Sequence, residues 1–206
     1  MNDELVPDKG ADRKPRPGNL RLLNDGGLLR ALDANGRKYR LTVEAGTPVS
    51  GVAATGTLTV DTQPTAGDTM TIGATTYTFR AAGTAAVAGE INLGANLAAT
   101  KPLIVSAING DSLNSANASV SAATFSSNNC TLTARVVGAA ANSVATTETF
   151  TAGTNVFAAA TLTGGVDGTP ASKGDQLFDT SYVYIATANL NVTSTSGWYK
   201  RALTAL

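Results

Sequence analysis

The sequence has no histidine and only one cysteine, Cys130, in 206 residues. Without histidine, the usual general base, the relay of a catalytic triad and the commonest metal ligand are missing together. A single cysteine can form neither an internal disulfide nor a zinc site, and its apolar run at 130–137 predicts a small buried side chain. We therefore expect no cofactor, no metal and no enzymatic activity.

Carboxylate pairs are the one catalytic option left, because glycoside hydrolysis needs only two such groups. The close candidates are Asp61 with Asp68 and Asp175 with Asp179. All four lie beside turn residues, where an aspartate normally bonds the local backbone, so a structural role is favoured. The spacing does not match an EF-hand calcium loop, and no glycine-rich loop leads into a Lys-Ser or Lys-Thr pair for phosphate.

An excess of charge of one sign and long apolar runs are also lacking. Fifteen basic residues balance fifteen acidic ones, so no global field attracts nucleic acid or an anionic membrane. No stretch approaches ~18 uninterrupted apolar residues, and the first residues lack the charged-then-apolar pattern of a signal peptide. These features predict a soluble protein made in the cytoplasm, without membrane contact.

Residues 1–18 contain three prolines and a basic cluster, Arg13, Lys14 and Arg16. They show no hydrophobic period, which predicts an arm and not a domain. Asp8 and Asp12 stand beside the cluster and no aromatic platform accompanies it, so nucleic acid is disfavoured as a partner. The arm is either a strap that orders against a neighbouring subunit or shell, or a solvated tail.

What the chain does contain is a set of strand-forming residues. Apolar residues make up 43% of it but aromatics only 5%, so the core must come from Val, Ile, Leu and the methyl groups of Thr, which suit strands. Residues 52–168 carry three basic and six acidic side chains and are rich in Thr, Ala, Ser, Gly and Asn. Because this segment keeps a clear hydrophobic period, we predict that it is folded.

Turn signals between apolar runs predict hairpins. Asn35-Gly36 separates two such runs, which indicates two or three short strands between 20 and 44. A second hairpin is predicted at 69–79, around a turn at Gly73-Ala74. Its face should carry Met70, Ile72, Tyr77 and Phe79.

Residues 96–110 have apolar positions at helical spacing, with Gly110 as a C-terminal stop. These positions are Leu97, Ala98, Leu103, Ile104, Ala107 and Ile108. Pro102 is tolerated in a first turn, so the helix is expected to start near 100. Further strands are predicted at 55–60, 118–122, 130–137 and 158–163. The expected fold class is mainly β with one short helix, which gives the middle segment an α+β character within a β-sandwich or barrel-like domain, followed by a terminal β-hairpin module.

The large aromatic side chains of the C-terminal segment predict that closing hairpin, with Trp198 packed across Tyr182 or Tyr184. Together with Tyr199 and the basic cluster of the arm, these residues are the candidates for contacts with other subunits or with a shell. Two alternatives stay open for the aromatics. They could form a surface on which sugars stack, or they could simply be the core of the terminal module.

The domain organisation is suggested by two equal triplets, Gly46-Thr47-Pro48 and Gly168-Thr169-Pro170. If they mark adjoining surface points, residues 52–168 are a domain inserted into a host module formed by 19–51 and 169–206. Chance is the alternative, because Gly, Thr and Pro are common turn residues.

Several motifs of the middle segment occur in a familiar order. They are Ala54-Thr55-Gly56-Thr57-Leu58-Thr59, Gly67-Asp68-Thr69-Met70-Thr71-Ile72-Gly73, Tyr77-Thr78-Phe79, Ile91, Leu103-Ile104-Val105-Ser106-Ala107-Ile108-Asn109-Gly110, Asn142-Ser143-Val144-Ala145 and Ala160-Thr161-Leu162-Thr163-Gly164-Gly165-Val166-Asp167. Together they resemble a module found in structural proteins of tailed bacteriophages, over roughly residues 53–168. Ala141 departs from that pattern, since a glycine usually precedes the Asn-Ser pair there.

The C-terminal runs 178–186 and 198–203 are similar to the closing hairpin of small phage head-fibre, decoration and tail-associated proteins. Such a resemblance implies a virion component, commonly a homotrimer, whose partners are copies of itself and the major capsid protein or another virion protein. A capsid decoration or head-fibre protein on the outer shell is the expected function. The alternative is a receptor- or glycan-binding module on the tail, in which Tyr182, Tyr184, Trp198 and Tyr199 would contact sugar.

Overall fold

The structure is a computed structural model that describes residues 21–25, 28–32, 38–45, 47–84, 86–178 and 181–202. Arg13, Lys14 and Arg16, and with them the predicted arm, lie outside these ranges. In chain order the elements are β1 Arg21–Asp25, β2 Leu28–Leu32, β3 Lys38–Ala45, β4 Ala53–Thr59, β5 Thr69–Ile72, β6 Thr75–Arg80, β7 Glu90–Asn92, α1 Leu97–Asn109, β8 Val120–Ala122, β9 Asn129–Val137, a 3₁₀ turn Ala139–Ser143, β10 Thr146–Glu148, β11 Val156–Phe157, β12 Gln176–Phe178, β13 Tyr182–Ala186 and β14 Trp198–Ala202.

The predicted fold class is confirmed: the protein is mainly β, with 38% strand against 12% helix and a single α-helix among the described residues. Its strands form three sheets, none of which closes into a barrel within the described ranges. No helix in that part of the chain is long and apolar enough to cross a membrane.

The chain divides into two compact units. The central unit comprises Val49–Pro170 with Asn191–Ser196, and the flanking unit comprises Met1–Pro48, Ala171–Leu190 and Gly197–Leu206. The short segment Asn191–Ser196 belongs to the central unit because its backbone accepts bonds from Gly51 and Gly168. Whether the central unit was acquired as an insertion stays a prediction.

The flanking unit is one six-stranded sheet in the order β1-β2-β3-β12-β13-β14. Two or three strands were predicted between 20 and 44, and the structure has three, β1 to β3. Strands β2 and β3 pair antiparallel, as expected from the Asn-Gly pair between them. In this sheet β3 and β12 pair in parallel, and this pairing joins the N-terminal strands to the C-terminal ones.

The central unit has two four-stranded sheets, β10-β5-β6-β7 and β11-β4-β9-β8, which share one core. The predicted hairpin of β5 and β6 is confirmed, with Gly73 in its two-residue turn at φ +61°. All four side chains expected on its inner face are fully buried. Leu58 and Leu132 from the second sheet and Ile104 and Ile108 from α1 complete the core.

Helix α1 starts earlier than predicted, at Leu97 instead of near 100. Asn96 caps it, because its side chain accepts a 3.0 Å hydrogen bond from the amide of Ala99, a common way to satisfy the free donors of a first turn. Pro102 therefore lies in the second turn, where it removes one intrahelical bond without ending the helix. The predicted stop is correct, since Gly110 follows at φ +100°.

The strand predicted at 158–163 is wrong in its position. The regular strand is β11, two residues earlier, and it pairs with the end of β4. Further along, Thr161 and Thr163 form isolated bridges with Ala145 and Thr55. The segment therefore runs along both sheets of the central unit but makes too few consecutive bonds with either to continue as one strand.

Candidate interaction surfaces

Two of the carboxylates considered for catalysis, Asp61 and Asp68, accept hydrogen bonds within the central unit. Asp61 accepts bonds from the amide of Thr154 (3.1 Å) and from its hydroxyl group. The Thr154 hydroxyl holds the pKa of Asp61 below its ordinary value. Asp68 accepts from the amide of Thr65 at 2.8 Å and from the hydroxyl of Thr151 at 2.9 Å. Each carboxylate thus fastens one loop to another.

Asp175, in the flanking unit, accepts a 2.9 Å bond from the amide of Ser172, and its predicted partner Asp179 lies outside the described residues. Within those residues, no three His, Cys, Asp or Glu side chains come together as a set of metal ligands. Cys130 is fully buried, as predicted, and burial raises the pKa of its thiol to about 11. Its Sγ donates to the carbonyl oxygen of Ala123 at 3.1 Å.

The terminal hairpin of β13 and β14 forms as predicted, but in another register. Trp198 lies opposite Ala186, and Lys200 lies opposite Tyr184. The predicted pairing of Trp198 across Tyr182 or Tyr184 is therefore wrong. Register in a hairpin is set by the turn geometry, and the long polar loop between these strands carries no short turn signal that could have specified it.

The predicted aromatic residues of this hairpin have unequal exposure. Tyr184 is buried at 5%, whereas Tyr199, on the opposite face, is 56% exposed. The ammonium group of Lys200 lies 3.6 Å from the ring centroid of Tyr182, a cation–π contact. Trp198 is partly exposed. One of the four aromatics is therefore core, one is covered by a lysine, and two are accessible.

Five exposed valines cluster in the central unit, and no sequence motif had indicated them. They lie on four backbone segments that are bonded to one another, and we call them the valine strip: Val49, Val52, Val136, Val166 and Val192, each 44–57% exposed. Val52 and Val166 exchange two backbone bonds of 2.8 and 3.1 Å, which places their side chains side by side.

The remaining members of the valine strip are joined through neighbouring backbone groups. The carbonyl of Val52 also accepts from Gly138, which lies two residues after Val136. Val192 accepts from Gly168 at 2.7 Å, and Val49 accepts from Thr169 at 2.9 Å. These bonds bring five exposed valines onto adjoining backbone segments, and exposed apolar side chains gathered in one region are a typical mark of a protein–protein contact site.

A second surface is an open groove between α1 and the loop that follows β8. Its volume is about 750 Å³, within the roughly 300–1,000 Å³ of ligand-binding clefts. We call it the α1 groove, and it is lined by Leu97, Ala98, Lys101, Pro102, Val105, Ser106, Thr124, Phe125 and Ser127.

Lys101 is the one charged side chain in the lining of the α1 groove. Its ammonium group donates to the carbonyl oxygen of Ser127 at 2.7 Å and to Oδ1 of Asn128 at 2.8 Å, and lies 5.5 Å from the ring centroid of Phe125. Both acceptors are neutral. In the part of the chain that the structure describes, no carboxylate lies within ion-pair distance of Lys101.

The structure thus brings the predicted aromatic residues together on one hairpin. The valine strip and the α1 groove were missed, because each combines residues from segments that are separated in sequence.

Comparisons with known proteins give no relative: no family model, no curated protein and no solved structure matches this chain.

Proposed function

We propose that this chain is a structural component of a tailed-phage virion, a capsid decoration or head-fibre protein that acts by self-association and by binding the shell. The observation that carries the proposal is the valine strip. Water-exposed valines on four adjoining segments give the central unit an apolar surface that association can bury. The motif resemblance of the middle segment supplies the virion context.

Burial of such a surface supplies favourable free energy for association. Each valine that a partner fully covers contributes on the order of 1–2 kcal/mol, against which association must offset the lost freedom of the subunits. Contact between like chains around a symmetry axis repeats this gain at every interface. We therefore place the valine strip in contacts between subunits, within a trimer on the outer surface of the capsid.

The state of the acidic groups also supports a structural role. Asp61 and Asp68 are occupied in fastening loops, since they accept hydrogen bonds from Thr154, Thr65 and Thr151. A general acid and base must instead face a reacting group. We accordingly propose that the protein is not an enzyme and that its partners are copies of itself and the major capsid protein or another virion protein.

The glycan-binding alternative is less well supported by the hairpin. A sugar platform needs an accessible aromatic face, but Tyr184 is buried and the ring of Tyr182 is covered by Lys200. Tyr199 and Trp198 remain accessible, though their side chains start from opposite faces of β14.

The solution mass tests the proposal. We expect sedimentation to give three times the 20.8 kDa mass of the chain, with dissociation on dilution. The double substitution Val52→Gln and Val166→Gln should weaken association at least tenfold, about 1.4 kcal/mol, because it places amides in the contact. The matched control is Val87→Gln with Leu113→Gln, two exposed apolar residues outside the valine strip, which should leave association unchanged.

A chain that stays monomeric at the highest attainable concentration, and that also fails to co-sediment with empty capsids, would refute the proposal. Equal weakening by the control pair would assign association to another surface. Binding to host-cell glycans that is lost with Trp198→Ala would favour the tail-associated alternative.

A further inference from the structure

The α1 groove has the chemistry of a site for an extended peptide. Its lining includes the partly exposed apolar side chains of Leu97, Val105 and Phe125, which we call its apolar floor, and it is open to solvent. Hydroxyl groups of Ser106 and Thr124 at the rim can bond a backbone that enters it.

Lys101 favours a ligand that carries negative charge. An ammonium group has three donors, and two of them are used on Ser127 and Asn128. Among the described residues, no carboxylate lies close enough to accept from the third donor or to form an ion pair with the ammonium group. A ligand that places a carboxylate here would give the third donor an ionised acceptor and would form an ion pair with the ammonium group.

One segment of the chain outside the described ranges has the matching composition. Residues 3–8 read Asp-Glu-Leu-Val-Pro-Asp, three apolar residues between acidic ones. Pro7 disfavours a helical conformation at the residue before it, which suits an extended segment in an open groove. The basic cluster of the arm follows several residues later and would not enter.

We propose that residues 3–8 of one copy bind in the α1 groove of a neighbouring copy, with Leu5 and Val6 on the apolar floor and Asp3 or Glu4 on Lys101. This inference rests on the proposed function, since it names a contact through which subunits associate. It assigns the acidic start of the arm, and not its basic cluster, to the contact between subunits.

Disulfide trapping between two differently tagged full-length chains tests the contact. One chain carries Leu5→Cys and the other carries Ser106→Cys at the groove rim. Cys130 does not compete, because its side chain is fully buried. Under mild oxidation we expect a mixed-tag dimer on a non-reducing gel, at least fivefold more abundant than with Ser115→Cys, a matched exposed serine just beyond α1.

Charge reversal then separates the contact from general effects on folding. Lys101→Glu on the groove chain should reduce the trapped dimer at least fivefold, and Asp3→Lys with Glu4→Lys on the arm chain should restore it. If Lys101→Glu lowers the melting temperature of the groove chain, Lys101→Gln replaces it as the test variant, and it should also reduce trapping.

Equal trapping at Ser106→Cys and Ser115→Cys, or failure of the paired reversal to restore it, would overturn the inference. So would trapping that occurs only when both cysteines are in one chain, because the arm would then occupy its own groove. The sedimentation experiment separates the two proposals. If the chain forms oligomers but no trapped dimer, the proposed function is retained and only the arm contact is refuted. If the chain is strictly monomeric, both proposals are refuted.

Discussion

Asn117 is a buried polar residue that links the two sheets of the central unit. Its Nδ2 group donates to the carbonyl oxygen of Ile72 at 3.2 Å and to the hydroxyl of Tyr77 at 3.3 Å. Its Oδ1 atom accepts from the amides of Ser119 at 2.9 Å and Val120 at 3.1 Å. The side chain is only 2% exposed, so water cannot replace these partners without rearrangement.

Asn117→Ala should therefore be among the most destabilising substitutions of a polar residue. It leaves buried donors and acceptors unpaired, and we expect a loss of about 2–3 kcal/mol in the free energy of unfolding. Urea denaturation followed by circular dichroism measures it. Asn96→Ala is the comparison, because loss of an exposed helix cap should cost about 1 kcal/mol. Equal losses would mean that Asn117 does not link the sheets as described.

Glu90 makes stability depend on pH. The guanidinium of Arg80 donates to its Oε1, with the Nε atom at 2.7 Å, and the amide of Val87 donates to Oε2 at 3.0 Å. These bonds favour the charged form, and the one from Arg80 contributes most to holding the pKa of Glu90 below its ordinary value. The stabilisation is present above the pKa of the unfolded chain and is lost as pH falls through the lowered pKa of the folded one.

We predict that wild type is more stable than Glu90→Gln at about pH 6 and that the difference shrinks as the pH falls to about 3. Thermal unfolding of both proteins over this range measures the difference. A constant gap for Glu90→Gln would contradict the assignment.

At the scale of elements, the turn between β5 and β6 depends on Gly73. The residue has φ +61°, and a Cβ atom there would lie 2.6 Å from Oγ of Ser119. Gly67, at φ +97°, has the same backbone requirement but nothing within 4 Å of its Cβ position. The two glycines therefore separate backbone strain from a steric clash.

Gly67→Ala should cost about 1–2 kcal/mol in unfolding free energy from the left-handed conformation alone. Gly73→Ala should cost more, because Ser119, the residue before β8 of the other sheet, must also move. Urea denaturation of the two variants measures the difference. Gly73→Ala with Ser119→Gly should recover the excess, and a failure to do so would show that the clash is not its cause.

Elements with strong local signals could be predicted from the sequence, and those set by distant partners could not. The hairpin at 69–79 carries both alternation and a glycine turn, so its strands and buried face were predicted correctly. Helix α1 was predicted to begin too late because Pro102 was assumed to need the first turn, although the Asn96 cap was present in the sequence. The register of Trp198 and the break-up of 158–163 into isolated bridges depend on partner strands that no local pattern specifies.

The same distinction applies to the candidate surfaces. The aromatic hairpin could be predicted because its residues are close together along the chain. The valine strip joins segments such as 49–52 and 191–196, and the α1 groove joins a helix face to residues beyond β8. Only the folded backbone brings these parts together.

At the scale of the whole molecule, the chain passes only a few times between the central unit and the flanking unit. We therefore predict that residues 49–170 fold when expressed alone. The fragment lacks Asn191–Ser196, so the amides of Gly51 and Gly168 lose their acceptors at Ser194 and Val192. We expect a cooperative unfolding transition with stability lowered by about 1 kcal/mol for each lost bond. Dispersed amide resonances should confirm folding. An unfolded fragment would contradict the inserted-domain organisation.

The parallel pairing of β3 with β12 has a consequence for the order of events during synthesis. The N-terminal strands leave the ribosome first, yet the strand that continues their sheet begins only at Gln176. At about 5–20 residues per second, the ribosome takes on the order of ten seconds to make the intervening chain. During this delay the edge of β3 has no nascent partner, whereas the whole segment 49–170 becomes available for folding. The middle of the polypeptide should therefore mature before its beginning does.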